Sequence, residues 1–183
     1  MQEPIATVEA LRDGRLIVWS REESRRLYWQ GYYGKPLGIS KPKEDFDAPL
    51  ILDPIEGLYL LERRLIKVRA PDGSEMDAER LREIARETMD RFDEKYLIYR
   101  DLRDRGYIVT PGIKYGCDFA VYRYGPGIDH APYIVEVRRV DEELSASEIV
   151  RSGRLATTVR KTFIIAAVEG NRVRYLGFEW WKP

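Results

Sequence analysis

The chain has 183 residues, 44% of them hydrophobic and 34% charged, with 31 basic side chains balanced by 31 acidic ones. That length can hold one generous core or two small ones, and zero formal net charge argues against a simple basic coat for nucleic acid without excluding a local basic site. A single cysteine, Cys117, rules out an intrachain disulfide, and with a single histidine it leaves no set of soft ligands for zinc. The opening MQEPIATVEA shows no basic region followed by an apolar core, and no apolar run approaches a membrane span. A cytoplasmic protein without a membrane segment is the expectation. Charge is uneven, however: residues 151–183 carry seven Lys or Arg against two Glu, so that segment is where a polyanion is expected to bind.

In chain order, residues 5–29 break into IATVEAL, RLIVWS after a DG turn, and SRRLYW, which read as small antiparallel strands. Residues 31–53 hold Gly31, Gly34, Gly38 and three prolines around SKPKEDFD, and read as a loop or poorly ordered excursion. Asp53-Pro54 then opens a helix, with Asp as N-cap and Pro at the first helical position, and Ile55, Leu58, Tyr59 and Leu61 on one face. LIKVRA, residues 65–70, is a strand ended by PDGS. Asp77 caps a helix through AERLREIARETMDRF, with Leu81, Ile84, Ala85 and Met89 as its apolar face. A further helix, EKYLIYRDLRDR, stops at Gly106.

Between these two helices, near residues 90–94, lies the best place for a domain boundary, giving units 1–91 and 92–183. The second half reads YIVT, DFAVYRY, the GPGID loop, YIVEVRRV, a helix over roughly 145–160, TFIIAAVE, a GN turn and VRYLGFEWW. The expected fold is α/β: a small N-terminal mixed α+β domain, then a domain with a mixed sheet of about five strands flanked by helices. The apolar ending suggests a strand buried against a second subunit.

His130, the only histidine, lies in the loop between two of these strands. Tyr122 precedes it by eight residues and Lys161 follows it by 31. Cleaving RNA through its own 2′-hydroxyl needs a base for that proton, an acid for the departing 5′ oxygen and a charge to steady the phosphorus centre. Histidine suits the acid and lysine the compact cation. Tyrosine, with an ordinary pKa near 10, is a poor base unless a neighbouring cation such as Lys161 lowers it. Each residue also has a plainer reading: a loop histidine, a sheet-packing tyrosine, and a lysine complementing a helix dipole. A rival centre is a restriction-type metal site built on Asp118 and Glu136, although Arg138 stands where such sites usually carry Lys.

The pieces YLIYRDLRDRGYIV, GIKYGCDFAVYRYGPGIDHAPYIVEV, SGRLATTVRKTFIIAAV and the terminal WWKP resemble the catalytic domain of the archaeal tRNA-splicing endonucleases. The first half, with DPIEGLYLLERRLI, resembles that family's N-terminal domain. The resemblance implies a restriction-endonuclease-like C-terminal fold and a catalytic triad on Tyr122, His130 and Lys161. It implies Tyr122 as base, His130 as acid and Lys161 as transition-state stabiliser, with 2′,3′-cyclic phosphate and 5′-hydroxyl ends and no metal or cofactor. The implied partner is precursor tRNA, cut at its bulge-helix-bulge element.

The resemblance also makes Arg154 one side of a sandwich on a flipped-out base, with Trp180 on the other. Against this stand a solvated helix residue for Arg154 and a buried interface aromatic for Trp180. Homotetrameric members carry a strongly acidic loop where this chain has only VEGNRV, and the excursion GKPLGISKPKEDFDAP looks like the extra loop of the crenarchaeal type. The implication is a catalytic subunit paired with a structural subunit as an α2β2 heterotetramer. Lys41 and Lys43 of that excursion could touch substrate phosphates or simply keep a loop solvated. A noncatalytic RNA-binding subunit of the same assembly is the alternative.

Overall fold

The computed structural model describes residues 3–40, 42 and 45–179, which divide into two compact units, 1–92 and 93–183. The first unit runs β1 (Ala6–Ala10), β2 (Leu16–Val18), α1 (Arg21–Gly31), β3 (Lys35–Pro36), β4 (Leu50–Leu52), α2 (Pro54–Glu62), β5 (Ile66–Arg69), β6 (Glu75–Met76) and α3 (Ala78–Thr88). Its sheet has the order β3-β4-β2-β1-β5-β6, in which only β1 and β5 pair in parallel. Hydrophobic alternation is plain on β5, where Ile66 and Val68 are buried while Lys67 and Arg69 are exposed.

Two expectations for this unit are corrected. SRRLYW is helical, not a strand: Ser20 caps α1 by accepting from the Glu23 amide, and Ser24, Leu27, Tyr28 and Gly31 form a buried face at helical spacing. The 31–53 excursion is also partly built into the sheet, because Lys35–Pro36 pairs with Leu50–Ile51 and buries Phe46, Ala48, Leu50 and Leu52. The Asp53 cap is a full capping box with Glu56, whose buried carboxylate accepts from the amides of Asp53 and Gly34 at 3.0 and 2.9 Å. Burial along α2 runs unbroken from Pro54 to Leu60 rather than down one stripe.

The second unit holds α4 (Phe92–Asp104, which begins one residue earlier), β7 (Ile108–Pro111), a 3-10 turn (Ile113–Tyr115), β8 (Phe119–Tyr122), β9 (Tyr133–Arg139), α5 (Ala146–Thr158), β10 (Thr162–Glu169) and β11 (Arg172–Phe178). Its five-stranded sheet has the order β11-β10-β9-β8-β7. Every neighbouring pair is antiparallel except β9 and β10, which run parallel and are joined through α5. Parallel neighbours require a crossover of this kind, so α5 must return the chain to the end of the sheet where β9 began. Lys161 and the residues before Tyr133 are therefore brought together by topology.

Helix α4 packs Tyr99 against Phe119 of β8, with ring centroids 6.0 Å apart. The buried Arg103 guanidinium donates to the Tyr99 hydroxyl at 2.9 Å and to the Val109 carbonyl at 3.1 Å, which satisfies its polar atoms on the apolar face. Ile134, Ala156, Phe163 and Ile165 form a core that Tyr115, Cys117, Leu144 and Phe178 flank.

Candidate active site

Tyr122 closes β8, opposite Ile108 of β7, and one residue before it Val121 pairs with Tyr133 at the start of β9. Tyr133 in turn pairs with Thr162 at the start of β10, and the Thr162 amide donates to the Pro132 carbonyl at 2.9 Å. The end of β8 and the starts of β9 and β10 thus share one end of the sheet. Adjacent strands lie about 4.8 Å apart, which sets the Tyr122 and Lys161 backbones about 10 Å apart across β9. His130 lies exposed in the loop entering β9.

Lys161 is aimed by the way α5 ends. The Arg160 amide donates to Thr157 at 3.0 Å and the Lys161 amide to Ala156 at 2.8 Å, the paired bonds of a Schellman turn. Arg160 takes the left-handed position with φ of 55°, where glycine is usual, so the turn holds a strained residue immediately before the lysine. The Lys161 ammonium then donates to the Ala131 carbonyl and lies 4.9 Å from the centre of the Tyr115 ring. A cation is thereby fixed against the residue that follows His130.

The loop from Arg123 to Pro132 is held by one carboxylate. Asp129 accepts from the amides of Arg123 at 3.0 Å, Tyr124 at 3.4 Å and Gly125 at 2.8 Å. Gly125 and Gly127 have φ of 128° and 88°, which the reversal in GPGID requires and which side chains rarely adopt. The Ile128 and Asp129 amides both donate back to the Gly125 carbonyl at 3.1 Å. His130 therefore follows directly on a pinned residue.

The condition under which tyrosine would be a good base, a cation lowering its phenol, is not met by Lys161. The Tyr122 pKa lies above its ordinary value because the phenol is half-buried, with the charges of Tyr115 and Asp129 adding to the effect and a hydrogen bond with Thr110 opposing it. Lys161 spends its charge on the Ala131 carbonyl and the Tyr115 ring instead. Arg154 is exposed on α5, and its carbonyl accepts from Thr158 at 2.9 Å. Trp180, Lys41 and Lys43 lie outside the described residues.

Sequence reasoning passed over Tyr115, Asp129 and Ala131. Asp129 alone carried a signal, since an Asp closing Gly-Pro-Gly-Ile-Asp is turn chemistry. Tyr115 is one of twelve tyrosines, and Ala131 acts through its backbone.

Asp118, one residue before β8, and Glu136 of β9, the rival metal pair, lie opposite each other, since Phe119 pairs with Val135. Four residues separate Asp118 from Tyr122, which sets the pair about 13 Å from Tyr122 at the rise of a β-strand. Both carboxylates are committed. Asp118 pairs with Lys95 at 3.2 Å and accepts from the Val137 amide at 2.7 Å, and Glu136 accepts from the Arg138 guanidinium at 2.7 Å. Among the described residues no group of three or more His, Cys, Asp and Glu is gathered as a metal site. Nor, among those residues, is any helix long and apolar enough to cross a membrane.

A family model described as tRNA intron endonuclease, catalytic C-terminal domain, matches residues 92–175, and its companion for the N-terminal domain matches residues 8–82. The chain belongs to the tRNA intron endonuclease family. It is 53% identical over 173 residues to a tRNA-splicing endonuclease of Hyperthermus butylicus, covering 92% of this chain and 95% of that one. A tRNA-splicing endonuclease of Saccharolobus islandicus is 43% identical over 180 residues, covering 96% and 99%. Another from Sulfurisphaera tokodaii is 42% identical over 178 residues, covering 95% and 98%. The stretch matched as the endonuclease catalytic domain contains the end of the sheet that carries Tyr122, Lys161 and the loop of His130.

Proposed function

We propose that this chain is the catalytic subunit of a tRNA-splicing endonuclease that cuts precursor tRNA at bulge-helix-bulge exon–intron junctions. The observation that carries this reading is the Lys161 ammonium seated on the carbonyl next to His130, at the end of the sheet where β8 delivers Tyr122. In the proposed step the 2′ oxygen attacks phosphorus, Tyr122 takes the 2′ proton, and His130 gives a proton to the 5′ oxygen as the P–O5′ bond breaks. Lys161 faces the nonbridging oxygens, whose negative charge is stabilised as phosphorus becomes five-coordinate. The products are a 2′,3′-cyclic phosphate and a 5′-hydroxyl, and no metal takes part.

The raised Tyr122 pKa has a consequence for the proposed base. At neutral pH the phenol is overwhelmingly protonated, so the small fraction present as its anion rises about tenfold per pH unit well below that pKa. Arg154 stacks on a flipped-out bulge base with Trp180 opposite it, and Lys41 and Lys43 meet substrate phosphates. These four contacts are part of the same proposal.

The assembly we propose is an α2β2 heterotetramer with a noncatalytic structural subunit, in the cytoplasm. Two features support it. Glu169 is the sole acid of the β10–β11 turn and is already paired with Arg174 at 3.0 Å, leaving little charge to dock into a partner. Strand β11 occupies an open sheet edge, and its Leu176 is 51% exposed.

The test is cleavage of a bulge-helix-bulge RNA in EDTA, by the chain alone and with a structural subunit, with the end groups resolved. Cyclic-phosphate ends that vanish in His130→Ala support the proposal, and dependence on the second subunit supports the heteromer. A fully active homotetramer by mass measurement would sink the assembly. Bound RNA without cleavage under either condition would make the chain a noncatalytic subunit, and cleavage restored only by Mg²⁺ would return attention to Asp118 and Glu136.

A further inference from the structure

We infer that Tyr115 is the positioning residue for Lys161, an aromatic platform that fixes the ammonium where the scissile phosphate must sit. The inference rests on the proposed role of Lys161, and its geometry stands apart from that role. Tyr115 is the last residue of the 3-10 turn Ile113–Tyr115, between β7 and β8. The turn has little freedom. The Tyr115 amide donates to the Gly112 carbonyl at 2.8 Å, Gly116 caps the turn with φ of 66°, and a Cβ on Gly112 would stand 2.7 Å from the Cys117 carbonyl oxygen. The ring is half-buried and packs on the core of Ile134, Ala156, Phe163 and Ile165. One side of Tyr115 is thus anchored in that core while its ring lies 4.9 Å from the Lys161 ammonium.

A lysine side chain has several rotatable bonds, and the Ala131 carbonyl alone would leave its stem free to swing. The ring supplies a second attachment through its negatively charged face. The ammonium carries three N–H donors, and the Ala131 carbonyl takes one of them, which leaves donors over. Those donors are what a phosphate oxygen would need. Tyr115 also acts on Tyr122 through space, as one of the coulombic causes of its raised pKa. The ring and the hydroxyl therefore act on different partners and can be separated by mutation.

Three chains are compared with the wild type: Tyr115→Phe, Tyr115→Leu and His130→Ala, each full-length and with its structural subunit if cleavage requires one. The probe is a bulge-helix-bulge RNA, read as kcat and KM against pH. Alongside this, proton–carbon spectra of protein labelled at lysine Cε follow the ring-current shift of Lys161. Tyr115→Phe keeps the ring, so kcat stays within about threefold and the Lys161 shift persists. Loss of the hydroxyl removes one of the groups that raise the Tyr122 pKa and moves the alkaline limb of the pH profile downward.

Tyr115→Leu fills most of the core volume but removes the platform, so kcat falls about tenfold at unchanged KM and the ring-current shift disappears. A Leu variant with wild-type kcat, while His130→Ala is dead, overturns the inference and leaves the endonuclease reading standing. A Lys161 signal indifferent to the Leu change overturns it without reference to activity. If Tyr115→Leu fails to fold, an unshifted alkaline limb in Tyr115→Phe together with an unshifted Lys161 resonance in the wild type overturns it. A wild-type chain that does not cleave overturns the parent reading instead, and the platform's role with it.

Discussion

Removing the Asp129 carboxylate should release the loop that carries His130. Two of its three hydrogen bonds, to the Gly125 amide at 2.8 Å and the Arg123 amide at 3.0 Å, are well formed, whereas the Tyr124 bond at 3.4 Å is long and adds little. At about 1 kcal/mol each, the two good bonds hold the loop by about 2 kcal/mol, a factor of about 30 in its ordered population. None of the three amides belongs to a strand, so Asp129→Ala leaves the sheet intact. Hydrogen exchange should then show the Arg123 and Gly125 amides losing about thirtyfold protection, while the β8–β9 ladder is unchanged.

Cleavage of a bulge-helix-bulge RNA should slow by about ten- to thirtyfold in kcat. Asp129→Asn keeps one acceptor oxygen and should fall between the two. Because the Asp129 charge also raises the Tyr122 pKa, either variant should move the alkaline limb to lower pH even as the maximal rate drops. Wild-type protection in Asp129→Ala would refute the clasp. Lost protection with wild-type kcat would refute the step from clasp to His130.

Burial pushes the Cys117 thiol up to about 11 from 9.0, so at pH 8 its thiolate fraction is about a hundredfold smaller than in the unfolded chain. Alkylation by iodoacetamide should be slower by that order in the native protein, and equal rates would show the thiol to be solvated. Gly112→Ala should cost about 1–3 kcal/mol in urea denaturation, because the new Cβ would lie 2.5 Å from Cys117 Sγ and 2.8 Å from the Phe119 amide nitrogen. A loss below about 0.5 kcal/mol would mean that the turn yields freely. Lys95→Met strips Asp118 of its ammonium partner, where both side chains are less than one-fifth exposed, and should cost about 2 kcal/mol while cleavage in EDTA persists. Loss of EDTA-resistant cleavage in a folded Lys95→Met protein would tie that end of the sheet to the chemistry.

What the sequence could determine was whatever depends on near neighbours. Asp53 before Pro54 and Asp77 before an amphipathic run mark helix starts because a cap acts over three residues. TFIIAAVE reads as a buried strand because its side chains alone say so. The helix α1 was missed for the same local reason, since SRRLYW suits either period and the cap at Ser20 went unread. The pairing of Lys35–Pro36 with Leu50–Ile51 was missed because it closes over residues that read as loop.

The order of Tyr122, His130 and Lys161 along the chain says nothing of which end of the sheet each one reaches. That is decided by β10 running parallel to β9, which obliges α5 to bring Lys161 back to the end where the loop of His130 enters. Nor could the sequence set the Tyr122 proton affinity, which depends on burial and on the through-space charges of Tyr115 and Asp129. Hydrogen bonding and patterning act over a few residues and can be read from a string of letters. Desolvation and charge act through space, and only the folded chain decides which groups they join.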